Sequence, residues 1–161
     1  MPKIEVQSHP ELTIVGLGYR GKNQAGEIPQ LWGQLMVRAD EVKNRDFAVH
    51  AAYGVSIMEP DYQETMVFDY IAGFPVLDAA DELPEGLFQF TIPEGQYAVI
   101  TCLNLKSINQ AYESIFRWVM DSQNYALDLS RGDIYFELYG EEFMPDQGSE
   151  KFYIYMPIKE K

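Results

Sequence analysis

One cysteine in 161 residues, two histidines, and 12 lysines and arginines set against 25 aspartates and glutamates are the first things this chain is short of. The lone thiol, Cys102, forbids an internal disulfide and lies in an apolar run, residues 98–103, with no histidine partner at a recognisable spacing. Freedom from disulfides agrees with a reducing compartment, so a cytoplasmic location is expected. His9 and His50 stand far apart without ligand spacing, and no metal or other cofactor is implied. The shortage of cations leaves a net charge of −13. Such a surface repels the phosphates of nucleic acid and favours cationic ligands. There is no apolar run of the ~18 residues that a membrane span needs, and residues 1–5 lack the apolar segment of a signal peptide. Gly16, Gly18 and Gly21 make no nucleotide loop, because the next helical pattern starts only near Pro29.

Aromatic residues, by contrast, are plentiful: 14% of the chain, eleven of them tyrosine, enough to line a pocket or to fill a β-rich core. The length suits one domain, residues 1–161. Alternating and apolar stretches predict strands at 12–18, 47–58, 65–76, 87–92, 97–103, 134–139 and 152–158. Helical spacing predicts helices over 29–42 and 107–122, the second opened by a Ser107–Gln110 capping box. The acidic stretch 78–86, with Pro84, reads as a linker, and 145–151 as a polar loop.

Laid side by side, the halves agree in kind and order: strand, helix, strand, strand. The first repeat spans about 1–80 and the second about 84–161, with 53–58 corresponding to 134–139. The expected fold is α+β, a duplicated strand-helix-strand-strand unit forming an antiparallel sheet with two helices packed on it. A pseudo-two-fold cleft between the repeats is the natural place for a ligand.

Glu137 is the residue that does not fit its surroundings. In the 134–139 strand, Ile134, Phe136 and Leu138 share one face while Tyr135, Glu137 and Tyr139 share the other. A strand apolar on both faces is usually covered on both, which would bury the carboxylate between two tyrosines. It then pairs with a cation such as Arg117 or Arg131, takes a proton, or receives a ligand that brings the missing charge; on an edge strand it would simply be exposed. Trp118 lies roughly 100° from the centre of its helix's apolar stripe, where a side chain lining a cleft or shielding a core edge would sit.

Five segments together resemble a known family: 28–35 (IPQLWGQL), 70–73 (YIAG), 92–99 (IPEGQYAV), 136–139 (FELY) and 153–158 (YIYMPI). They look like the GyrI-like small-molecule-binding domain, which also serves as the effector-binding module of multidrug-responsive bacterial transcription activators. The resemblance covers nearly the whole chain and implies the duplicated fold inferred above. It implies that Glu137 lies in an aromatic cleft that receives lipophilic cations, with Tyr139, Tyr155, Tyr53 and Trp118 as further ligand-binding candidates. With the first expected strand about a dozen residues in, no helix-turn-helix is expected before the domain, and no direct binding to DNA. Free-standing relatives suggest an alternative, a hydrolase of strained, cyclopropane-containing electrophiles with Glu137 as general base and Trp118 stacking on the substrate. A third reading is an acidic, gyrase-modulating or other protein-interaction role through surface acids such as Glu141 and Glu142.

Overall fold

The computed structural model describes residues 3–161. In chain order its main elements are β1 (Ile4–His9), β2 (Leu12–Gly21), α1 (Glu27–Val37), β3 (Ala52–Met58), α2 (Tyr62–Thr65), β4 (Phe68–Pro75), β5 (Leu87–Ile92), β6 (Gly95–Cys102), α3 (Ile108–Asp121), β7 (Tyr125–Leu127), β8 (Ile134–Tyr139), β9 (Phe143–Met144), β10 (Ser149–Glu150) and β11 (Phe152–Glu160). Strands pair antiparallel and helices pack on them, which makes the fold α+β. The chain groups into two compact units, Leu12–Ile92, and residues 3–11 with Pro93–Lys161. Each runs strand, helix, strand, strand: β2, α1, β3, β4 in one and β6, α3, β8, β11 in the other. Among the described residues no helix is long and apolar enough to cross a membrane.

In the Leu12–Ile92 unit, β4 lies between β2 and β3, and β5 pairs with the other edge of β2. Alternation sends Val15, Leu17, Tyr70, Ala72 and Phe74 to one face, where Leu31 and Leu35 of α1 close the core. The helix stops at Val37, short of the expected residue 42. A 3-10 turn, Ala39–Glu41, follows and still delivers Val42 to the core, so the apolar spacing outlasts the α-helix. The Arg38 guanidinium braces that turn by donating to both Glu41 carboxylate oxygens at 2.8 Å. Gly16 faces Gly73 across the β2–β4 ladder. A β-carbon at Gly16 would be driven into the Ala72 carbonyl, so this glycine serves a close backbone approach.

In the other unit the order is β1, β6, β11, β8, with β7 pairing the far end of β11. Ala111, Ile115 and Val119 form the buried stripe of α3. β1 is a strand that sequence patterning does not announce: only Ile4 and Val6 alternate in it, and pairing with β6 supplies the rest. Its place has a counterpart, since β1 precedes β2 yet pairs with β6, while β5 precedes β6 yet pairs with β2. The leading strand of each repeat is thus delivered to the sheet of the other. The capping box does not form, because Ser107 makes no side-chain cap bond. Asn104 does that work one turn earlier, its Oδ1 accepting from the Ser107 backbone N–H at 3.0 Å and the Ser107 hydroxyl at 2.8 Å. The expected polar loop contains β10 and a 3-10 turn, and β10 pairs with β9 in a small hairpin.

Two glycines separate space from conformation. Gly33, inside α1, borders open space, with nothing within 4 Å of where a β-carbon would stand. Gly33→Ala should stabilise the protein by about 0.4–1 kcal/mol, whereas Gly16→Ala should cost about 3 kcal/mol or more, both read from urea-unfolding midpoints.

Candidate functional site

β8 pairs with β11 through Glu137↔Ile154 and Phe136↔Tyr155. Because side chains alternate, Glu137 and Tyr139 lie on one face of this sheet and Phe136 and Tyr155 on the other. Glu137 is only 5% exposed. Its carboxylate accepts two short hydrogen bonds: from the Tyr112 hydroxyl on α3 to Oε2, and from the Tyr139 hydroxyl on its own strand to Oε1, each 2.6 Å. Bonds from a hydroxyl to a carboxylate at this length are charge-assisted, worth about 1.5–3 kcal/mol each. They replace part of the hydration lost on burial.

Tyr112 is the functional residue that sequence reasoning misses. Helical spacing puts it on the core stripe of its helix, between Ala111 and Ile115, and names no partner for its hydroxyl. A tyrosine on a core stripe needs a polar partner for that group, and this is the signal that could have found it. The ring of Tyr139 belongs to a three-ring cluster, stacked on Phe152 at 5.1 Å and met edge-on by Phe143 at 4.8 Å, with Phe143 also edge-on to Phe152 at 6.3 Å. Cys102 is also buried close by; burial first, and then the Glu137 charge, push its thiol up to about 12, which suits packing and not nucleophilic chemistry.

The remaining candidates lie elsewhere. Tyr155, 8% exposed, belongs to an aromatic cluster on the opposite face, stacked on Phe136 at 4.5 Å and joined by Tyr97 and His9. Trp118 stacks on Tyr125 of β7, 6.3 Å between ring centroids. At ~100° per residue it points roughly 120° around α3 from Tyr112. Tyr53 is a buried residue of β3, in the other unit. The structure therefore brings together Glu137, Tyr139 and Tyr112. Of the two arginines that could serve as internal counter-ions, Arg131 donates Nε to Asp128 and Nη2 to the Gln96 and Ile158 carbonyls, with its guanidinium over the Tyr97 ring at 4.7 Å. Arg117 is exposed on α3. Among the described residues no group of three or more His, Cys, Asp or Glu side chains is placed to hold a metal.

The Leu12–Ile92 unit treats the corresponding positions differently. Ser56 of β3 stands where Glu137 stands on β8, and it is buried opposite Tyr70 of β4. Trp32, which follows the buried Leu31 of α1 as Tyr112 follows the buried Ala111 of α3, donates its indole N–H to the Tyr70 hydroxyl at 3.1 Å. Here the polar contact under the helix is neutral.

The integron-associated effector-binding protein family model, Cass2, matches residues 5–158. The transcriptional regulator BrlR of Pseudomonas aeruginosa is 25% identical over 155 residues, covering 95% of this chain and 54% of that protein, so the chain spans about half the length of this curated relative. The structure of SAV2435 bound to tetraphenylphosphonium superposes with a TM-score of 0.72 at 22% identity, covering 98% of this chain and 94% of that one. An integron cassette protein from the mobile metagenome of Vibrio cholerae superposes with a TM-score of 0.66 at 15% identity, covering 97% and 95%. These likenesses bear out the α+β fold.

His9 offers a test of the opposite face. Its ring is 8% exposed, edge-on to Phe136 at 5.1 Å, with Nδ1 2.7 Å from the Pro10 carbonyl. Burial holds its imidazole below the ordinary histidine range, with the Pro10 carbonyl opposing that only in part. The unfolded chain, at about 6.5, then takes up the proton before the folded one. The neutral ring contributes fully above about pH 6.5, and that stability is lost as the pH falls through 6.5 toward the folded value. Urea midpoints should drop for the wild type between pH 7 and pH 5 and stay nearly level for His9→Phe.

Proposed function

The chain belongs to the integron-associated effector-binding protein family, and from that premise we propose that it binds amphipathic aromatic cations, with Glu137 as the anionic partner. The observation that carries this reading is the buried carboxylate held by two tyrosine hydroxyls at 2.6 Å. A lipophilic cation with spread charge is weakly hydrated, so it gives up little on entering an apolar site. It gains Coulomb attraction to Glu137 where water screens poorly, and cation–π contact with the tyrosine rings. A strongly hydrated cation such as a lysine ammonium gains less from the same site. The SAV2435 structure, of similar fold, is bound to a cation of this kind. Tyr112 and Tyr139 form the polar floor with Glu137. Tyr155, Tyr53 and Trp118 stay secondary candidates, and Tyr155 would need a ligand reaching past its own face of the sheet.

No observation favours the hydrolase reading, since Trp118 packs against Tyr125 and not beside Tyr112 and Glu137. For the surface acids, Glu142 is tied to Lys151 at 2.9 Å and to the Tyr153 hydroxyl at 2.9 Å, a local bracing contact.

Tetraphenylphosphonium is a suitable probe. At a hundred times its dissociation constant it should stabilise the wild type by about 2.7 kcal/mol, an increase in Tm of about 5–10 °C for a chain of this size. Glu137→Gln should lower the affinity tenfold or more by calorimetry, a loss of at least about 1.4 kcal/mol, while a neutral aromatic of similar size loses nothing. Equal affinity of both proteins for the cation would remove Glu137 from the site.

A further inference from the structure

Beside the carboxylate, the chain leaves β8 through Gly140, makes a short turn in which the Phe143 N–H donates to the Gly140 carbonyl at 3.0 Å, and enters the β9–β10 hairpin. Two residues face each other across that hairpin, Phe143 and Glu150. Phe143 turns its ring onto Tyr139, the hydroxyl donor to Glu137, at 4.8 Å between centroids. Glu150 reaches away to accept, through Oε1, the backbone N–H of Leu105 at 3.0 Å, in the turn that leads into α3. The same helix carries Tyr112, the other donor to Glu137. The hairpin therefore ties the two elements that hold the carboxylate, touching one by a ring and the other by a single hydrogen bond. Its polar fastenings are solvent-exposed, the Ser149 hydroxyl to the Glu142 carbonyl at 2.6 Å and Lys151 and the Tyr153 hydroxyl to the Glu142 carboxylate, each at 2.9 Å, and only the Phe143 ring reaches the core. Exposed polar contacts of this kind hold weakly and detach readily. Phe152, which stacks on Tyr139 and meets Phe143 edge-on at 6.3 Å, is fully buried and fixed in the core.

We propose that the β9–β10 hairpin is the positioning device of the Glu137 site: Phe143 holds the Tyr139 ring in place, and Glu150 latches the hairpin to the start of α3, so that occupation of the site and attachment of the hairpin are coupled. This rests on the cation-binding reading. A bulky aromatic cation drawn to the carboxylate needs room beside the tyrosine rings that hold it. Of the two tyrosines, Tyr139 touches both a ring fixed in the core, Phe152, and a ring carried by the exposed hairpin, Phe143, so movement of Tyr139 is taken up on the Phe143 side. Phe143 and Glu150 touch no ligand in this scheme. They act through Tyr139.

The test uses the whole chain, tetraphenylphosphonium as probe, and the variants Glu150→Ala, Glu150→Gln and Phe143→Ala. Glutamine keeps an oxygen that can accept from the Leu105 N–H, and alanine does not. Glu150→Ala and Phe143→Ala should each weaken probe binding three- to tenfold, with Glu150→Gln within twofold of wild type. Amide hydrogen exchange across residues 141–151 should change on adding probe to the wild type. Unchanged affinity in both alanine variants, or hairpin exchange indifferent to bound probe, overturns the coupling. Should the wild type bind no probe at all, the cation reading fails by itself, and the positioning role is judged without ligand from the ring resonances of Tyr139, assigned with Tyr139→Phe. A shift of those resonances in Glu150→Ala that Glu150→Gln restores sustains the positioning role; resonances unmoved in both alanine variants overturn it.

Discussion

A carboxylate that is 5% exposed must be solvated by its neighbours, and much of the architecture around β8 follows from how this is done for Glu137. The donors come from two different elements. Tyr139 follows two residues later on the same strand, which puts its hydroxyl in reach by pleat geometry alone. Tyr112 must be delivered by a helix, so the angle and height of α3 over the sheet matter to the carboxylate as well as to the core. Ala111, Ile115 and Val119 set that placement by burying the stripe beside Tyr112. The two tasks are linked: a repacking of the α3 stripe would alter the polarity of the site without touching a polar residue.

The duplicated fold provides its own comparison. The same order of strand, helix, strand, strand supports a charged arrangement in one unit and a neutral one in the other. In the Leu12–Ile92 unit, Trp32 donates to the Tyr70 hydroxyl and Ser56 brings no charge. In that contact a neutral donor meets a neutral acceptor within one unit. The Glu137 arrangement differs in kind: two hydroxyl donors can share a carboxylate's negative charge but cannot cancel it. On the cation-binding reading the unit with Glu137 supplies the anionic partner, and the corresponding position of the other unit, Ser56, does not.

What can be read in the sequence divides along the same physical line. Alternation within a strand is local, so Glu137 and Tyr139 can be singled out together, and helix periodicity is enough to place α1 and α3. Strand register is not local. Whether Tyr155 shares a face with Glu137 depends on pairing between β8 and β11, where Glu137 falls opposite Ile154 and Tyr155 one position on. A slip of one residue would reverse the answer. Tyr112 is hidden for a related reason: the helical stripe shows that it faces the sheet but not which strand residue awaits it. β1 escapes notice because its alternation is brief and its stability comes from β6, a partner far away in sequence. The Ser107 capping box has the correct spacing, but Asn104 captures the Ser107 amide first.

On the cation-binding reading, the net charge of −13 and the buried carboxylate of Glu137 act on different stages of binding. Exposed acids are screened over roughly 8 Å at physiological salt, so they raise the local concentration of cations without selecting among them. Their influence should fade as salt is added, because it works through encounter. Glu137 is shielded from that screening by its own burial, and its attraction persists where the surface field does not. On the same reading, selectivity comes from what each cation must shed to reach it. A small, tightly hydrated ion keeps its water and stays among the surface acids, while a large aromatic cation sheds little and can exchange solvent for tyrosine rings. On the proposed reading, the cations that the surface charge gathers are thereby sorted by the buried carboxylate of Glu137.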